Sequence, residues 1–136
     1  ELRASAIHQD GMRFAVTAGS HSLTTDYPLN ADETGAGPRP LELLLASLAS
    51  CAGGAMVALL RRAGQPVAGL TVTACGDRRA EHPTVFTTVA LDYVVRGSVD
   101  PSIVAGALAQ SEERICPVWA MLRPGTALTS SSRVEP

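Results

Sequence analysis

Two cysteines stand where a thiol could react: Cys51, midway along a long apolar run, and Cys116, immediately before Pro117. A cysteine reacts as its thiolate, so it needs a cation, a helix N-terminus or a similar neighbour to lower its pKa. Pro117 pushes Cys116 away from α geometry. If Pro117 opens a short helix, Cys116 is its N-cap, where the helix dipole favours thiolate. The bland alternative is a helix terminator that happens to be Cys. Cys51 carries no such signal and has its own bland alternative, a small buried hydrophobe, because free Cys is among the most buried residue types. Cys75 lies in an alternating run and is expected to face a core as a structural residue.

An odd count of three cysteines, widely spaced, does not suit a secreted disulfide framework. No CxxC or CxxH pair exists, so no zinc site is expected. His8, His21 and His82 lie in or beside strands and turns, and none forms a spaced pair for metal or for a Cys–His nucleophile. No metal and no bound cofactor are therefore predicted.

The elements that would position the thiols follow from periodicity. Leu2 to Ile7, Met12 to Thr17 and His21 to Asp26 read as short strands, with turns at Gln9-Asp10-Gly11 and Ala18-Gly19-Ser20. A loop follows, punctuated by Gly35, Gly37, Pro38 and Pro40. Pro40 suits the first turn of a helix and Glu42 its positive end. That helix is predicted from Pro40 to Ala63, with Gly64 as its stop. At helical spacing Cys51 shares a face with Leu44, Leu48, Ala55 and Ala58. Gly53 and Gly54 weaken the middle of the helix by up to ~1 kcal/mol each, for which close approach of another helix would compensate.

Glu42 most simply answers the helix dipole. At ~1.5 Å per residue it stands ~13 Å along the axis from Cys51 and on the opposite face, so it could serve only Cys51 of the partner subunit. Leu70 to Cys75 and Thr84 to Val95 read as two more strands. Asp100-Pro101 is an N-cap and first-turn pair for a second helix with Ile103, Val104, Ala107, Leu108 and Ser111 on one face. A short segment from Pro117 to Leu122 and a final edge strand from Thr126 to Val134 complete the chain.

Strands grouped in runs predict an α+β fold with antiparallel sheets. The 136 residues suit a single domain, 1–136, with 46% hydrophobic residues for its core. The net charge of −2, without a basic patch, argues against a nucleic-acid partner. The stretch from Leu43 to Leu60 is 18 residues without a charge. Its serines and glycines suit a buried central helix better than a membrane span. Glu1 to Asp10 lacks the pattern of a signal peptide. A soluble, cytoplasmic protein is expected. A helix with so little polar face needs cover on both sides, which predicts a homodimer built around it.

The run Gly37-Pro38-Arg39-Pro40-Leu41-Glu42-Leu43-Leu44-Leu45, continuing to Ser50-Cys51, resembles the OsmC/Ohr family of osmotically inducible and organic hydroperoxide resistance proteins. Ile115-Cys116-Pro117-Val118 resembles the family's second mark, and His82-Pro83-Thr84-Val85-Phe86 also fits. The likeness covers nearly the whole chain, in order, and is closest to the OsmC-like branch. It implies an intertwined homodimer in which antiparallel sheets wrap long central helices. It also implies a two-cysteine peroxidase, with Cys51 peroxidatic and Cys116 resolving through a sulfenic acid and a disulfide. A dithiol, lipoyl group or small thiol would be the reductant.

The family's activating Arg, aligned just before Asp10-Gly11, is replaced here by Gln9. Arg13, from the same hairpin, and Arg39, acting across a dimer, are the substitutes, with Arg13 favoured. Organic hydroperoxide enzymes carry Glu directly after the Pro; here Leu41 stands there and Glu42 follows. These departures keep open a non-peroxidatic dimer that binds a small apolar or thiol ligand, and a redox sensor using the same thiol pair.

Overall fold

A computed structural model describes residues 1–30 and 32–136. It divides the chain into two compact units, Glu1–Leu44 and Leu45–Pro136. In the first, β1 (Ala4–Asp10), β2 (Arg13–Ala18) and β3 (His21–Thr25) form an antiparallel meander in the order β1-β2-β3. The predicted turns fall at Gly11 and Gly19, each at positive φ, which suits Gly in tight hairpins.

Helix α1 (Pro40–Arg62) begins at the end of the first unit and runs through the boundary into the second. It stops where expected, before Gly64 at φ +72. Leu48, Ala52, Met56 and Leu60 recur every four residues and are all at most 1% exposed. They form one helical stripe, and burying each large member stabilises the fold by ~1.5–3 kcal/mol. The stripe at Ala46, Ser50, Gly54 and Ala58 is exposed. Ala58, expected beside Cys51 on the apolar face, therefore belongs to the uncovered side. By length and composition α1 is apolar enough to cross a membrane, and Leu48, Met56, Leu59 and Leu60 are the large residues that it buries inside the chain.

The second unit holds β4 (Gly69–Arg78), β5 (Phe86–Arg96) and β6 (Ala127–Glu135) in the order β4-β5-β6. Between β5 and β6 lie α2 (Pro101–Gln110), a π turn (Ser111–Ile115) and α3 (Pro117–Leu122). Asp100 caps α2 as predicted, its Oδ1 accepting the Ser102 N–H at 2.9 Å. Two expectations are corrected. β6 pairs with β5 in parallel, not antiparallel, because the helical segment carries the chain back across the sheet before it re-enters. Cys75 does not face a core. Leu70, Val72 and Ala74 take the covered side of β4, so the period of two places Cys75 on the exposed side with Thr71 and Thr73.

Gly53 does admit a close neighbour, but it is β4 rather than a helix. A Cβ there would lie 3.2 Å from Val72 Cγ2, whereas one on Gly54 would meet nothing within 4 Å.

Candidate active site

Helix α1 presents Cys51 half-buried, beside the Leu48 stripe. Cys116 arrives by a different device. The π turn closes when the Cys116 N–H donates to the Ser111 carbonyl at 2.9 Å, five residues back. Cys116 then leaves helical geometry (φ −75, ψ 106) and caps α3, whose Trp119 N–H donates to Cys116 Sγ at 3.5 Å. These two turns bring the Cys116 thiol to within 3.1 Å of Cys51 Sγ, to which it donates. The thiols are free and in contact across 65 residues of sequence.

The cap position does not make Cys116 acidic. At 2% exposure, burial pushes its thiol up to about 11. The Trp119 N–H pulls the other way, and the hydrogen bond to Cys51 adds to the rise. Desolvation thus outweighs the dipole that the Cys-Pro step suggests. At neutral pH Cys116 is a thiol that donates its proton toward Cys51.

Three neighbours escaped the sequence reading. Tyr93 and Ser111 are fully buried, and among the described residues their hydroxyls have no hydrogen-bond partner. Burial, then the charges of Glu112, Cys116 and Cys51, hold the Tyr93 hydroxyl well above its usual range, so it stays a neutral donor. Glu112 accepts a short hydrogen bond from Ser130 of β6. The available signal was the inward series Phe86, Val89, Leu91, Tyr93, Val95, in which Tyr is the member that needs a polar partner.

The other candidates sit in the first unit, each against groups of that unit. Arg13 Nε is 3.8 Å from Asp26 Oδ2. The same carboxylate accepts the Ala36 N–H at 2.9 Å and the Tyr27 N–H at 2.8 Å. The Ala36 bond chiefly lowers the Asp26 pKa; partial burial opposes it, and Tyr27 and Arg13 lower it further. The Arg39 guanidinium lies over the Tyr27 ring, 5.1 Å from its centroid. Glu42 Oε1 accepts the Arg39 backbone N–H at 2.9 Å, which caps the start of α1 as its first-turn position suggests. Among the described residues no three His, Cys, Asp or Glu side chains converge as a metal site.

On the uncovered side of α1, a groove of about 810 Å³ is lined by Ala46, Ser50, Gly54, Ala58, Leu70 and Val72, among others.

Residues 32–131 match the family model described as OsmC-like protein. Protein YhfA of Escherichia coli K12 is 32% identical over 98 residues, 71% of this chain and 73% of that one. An OsmC-like protein from Mycoplasma pneumoniae shares the fold with a TM-score of 0.88 at 14% identity, covering 100% of this chain and 98% of the other. A Legionella pneumophila structure described as an organic hydroperoxide resistance protein OsmC superposes at a TM-score of 0.76 with 20% identity, over 98% and 97% of the two chains.

Proposed function

The chain belongs to the OsmC-like protein family, and from that premise we propose that it is a thiol peroxidase that reduces organic hydroperoxides through Cys51 and Cys116. The observation that carries the proposal is the 3.1 Å contact between the two sulfurs, made by free thiols.

In this scheme the Cys51 thiolate attacks the peroxide. An S–O bond forms, the O–O bond breaks, and the alkoxide leaves as an alcohol after taking a proton. Cys116 then attacks the Cys51 sulfur. The S–S bond forms, and the sulfenic oxygen departs as water with the Cys116 proton. A dithiol of the lipoyl class reduces the disulfide and is itself oxidised to a disulfide. The division of labour suits the geometry. Cys51 is half-exposed for a substrate, while Cys116 is closed off and pre-aimed.

A homodimer is part of the proposal. The exposed small-residue stripe of α1, with its 810 Å³ groove, suits a second copy of the helix. Light scattering that gives a stable monomer at micromolar concentration would remove that part.

The test of activity is consumption of cumene hydroperoxide in the presence of a dithiol, with hydrogen peroxide as the comparison. Faster consumption of the organic peroxide, lost in Cys51→Ser, supports the proposal. No consumption by a reduced, folded protein rejects it. A second reading, a dimeric ligand-binding protein or redox sensor, draws support from Arg13 and Arg39, whose guanidinium groups already hold Asp26 and Tyr27.

A further inference from the structure

The helix-bearing face of the second sheet places one more group beside the two sulfurs. Val72, Tyr93 and Ser132 are register partners across β4, β5 and β6, so their side chains share a face. On β4, Val72 meets α1 at Gly53, two residues beyond Cys51. On β6, Ser130 lies two residues before Ser132, hence on the same face, and it donates to Glu112 in the π turn. That turn ends at Cys116. Tyr93 therefore stands between the element that carries Cys51 and the element that delivers Cys116. Its side chain is fully buried, and among the described residues its hydroxyl has no partner. An orphaned hydroxyl in such a place costs free energy in the reduced protein, and a state that supplies an acceptor would recover that cost.

We infer that the Tyr93 hydroxyl is a further catalytic group of the resolving step, donating a hydrogen bond to the oxygen that Cys51 carries as sulfenic acid. The inference rests on the peroxidase function proposed above. Before oxidation no oxygen is present and the donor is idle. When the peroxide has delivered one oxygen to Cys51, the donor gains its acceptor. As Cys116 attacks, the S–O bond breaks, the S–S bond forms, and negative charge builds on the departing oxygen. A hydrogen bond there stabilises the leaving group, which departs as water with the Cys116 proton. Because burial and the neighbouring charges keep the phenol un-ionised, it remains a donor throughout.

The test is Tyr93→Phe, which keeps the ring and removes only the hydroxyl. Both proteins are oxidised with cumene hydroperoxide, and the Cys51 sulfenic acid is timed by dimedone trapping. In parallel, Cys51 is loaded with thionitrobenzoate, and its displacement by Cys116 is timed. This second reaction has the same two sulfurs and no oxygen leaving group. The expected result is a sulfenic acid that survives at least about tenfold longer in the variant, with unchanged rates of first oxidation and thionitrobenzoate release. Equal slowing of both releases overturns the inference, because it marks a packing defect. An unchanged sulfenic acid lifetime overturns it as well. A wild-type protein that forms neither sulfenic acid nor disulfide with the hydroperoxide rejects the peroxidase function itself, and the role of Tyr93 falls with it.

Discussion

The two sulfurs of the Leu45–Pro136 unit and the two arginines of the Glu1–Leu44 unit are held in contrasting ways. Cys51 and Cys116 face each other as free thiols, with an unpartnered hydroxyl and a carboxylate nearby. The carboxylate is held by Ser130, and among the described residues the hydroxyl has no partner. Arg13 and Arg39 are each against a local group, the Asp26 carboxylate and the Tyr27 ring. The first arrangement keeps reactive groups available; the second uses charge to fasten a loop. A thiolate needs a cation more than it needs a second thiol. The contrast therefore locates the open question of the chemistry in the arginines, not in the cysteines.

The strongest way to break this comparison is to remove one sulfur at a time. Cys51→Ser should lower dithiol-dependent peroxide consumption by at least about a thousandfold, equivalent to ~4 kcal/mol of barrier. Cys116→Ser should still oxidise once at Cys51 and then stop, with no intramolecular disulfide by mass spectrometry. If both variants turn over alike, the sulfur contact is only packing.

The pH dependence sharpens the same side. Cys116 attacks as a thiolate, and its thiol is raised to about 11. Because burial is the largest cause of that rise and persists after Cys51 is oxidised, disulfide formation should accelerate as pH rises above neutrality. The sign for stability is opposite. The reduced folded chain keeps the Cys116 proton after the unfolded chain has begun to lose it. Stability contributed by this thiol is thus present below the ordinary cysteine range and lost as pH rises toward about 11. A flat rate profile from stopped-flow measurements would show that another group takes the proton.

The arginines are tested next. If Arg13 leaves Asp26 to activate the thiol, Arg13→Ala should slow Cys51 oxidation by organic peroxide at least about tenfold, or ~1.4 kcal/mol, with fold retained. If Arg13→Ala and Arg39→Ala both react at the wild-type rate, neither guanidinium activates the thiol, and the ligand-binding reading gains.

The smallest effects lie within α1. Gly53→Ala forces a methyl against Val72 and should lower stability by ~1 kcal/mol, while Gly54→Ala adds helix propensity in open space. Gly54→Leu separates the oligomer question from stability. If a second copy occupies the groove, this change weakens the dimer in sedimentation without lowering secondary structure.

Much of the architecture was legible because it depends on local chemistry. Pro40, Gly64, the Asp100-Pro101 pair and the Cys116-Pro117 pair mark helix ends through fixed φ, absent N–H groups and caps, and the structure places helix ends at all four. What escaped depends on contacts distant in sequence. The parallel pairing of β6 follows from a crossover whose direction no local pattern encodes. The outward turn of Cys75 follows from which face of β4 the helix covers, and the strand's alternation permits either. Proximity of Cys51 to Cys116 came from family resemblance, whereas Ser111 carries no signal that distinguishes it from an ordinary core residue, and Tyr93 only that of a tyrosine in an inward-facing series. The raised pKa of Cys116 escaped for a related reason: a cap is visible in sequence, but the depth of its burial is not.

The π turn between α2 and α3 bears on how the gene can vary. Its closing bond spans Ser111 to Cys116, one residue more than an α turn contains. Deleting a single codon within Glu112–Ile115 would let the segment wind as ordinary α-helix. Each residue in such a helix advances ~1.5 Å and turns ~100°. The Cys116 sulfur would then swing away from Cys51 although every cysteine, proline and cap remained in the sequence. The length of this segment therefore sets the sulfur contact as much as its residues do, and a frame-preserving deletion should separate the two thiols where a conservative substitution should leave them together.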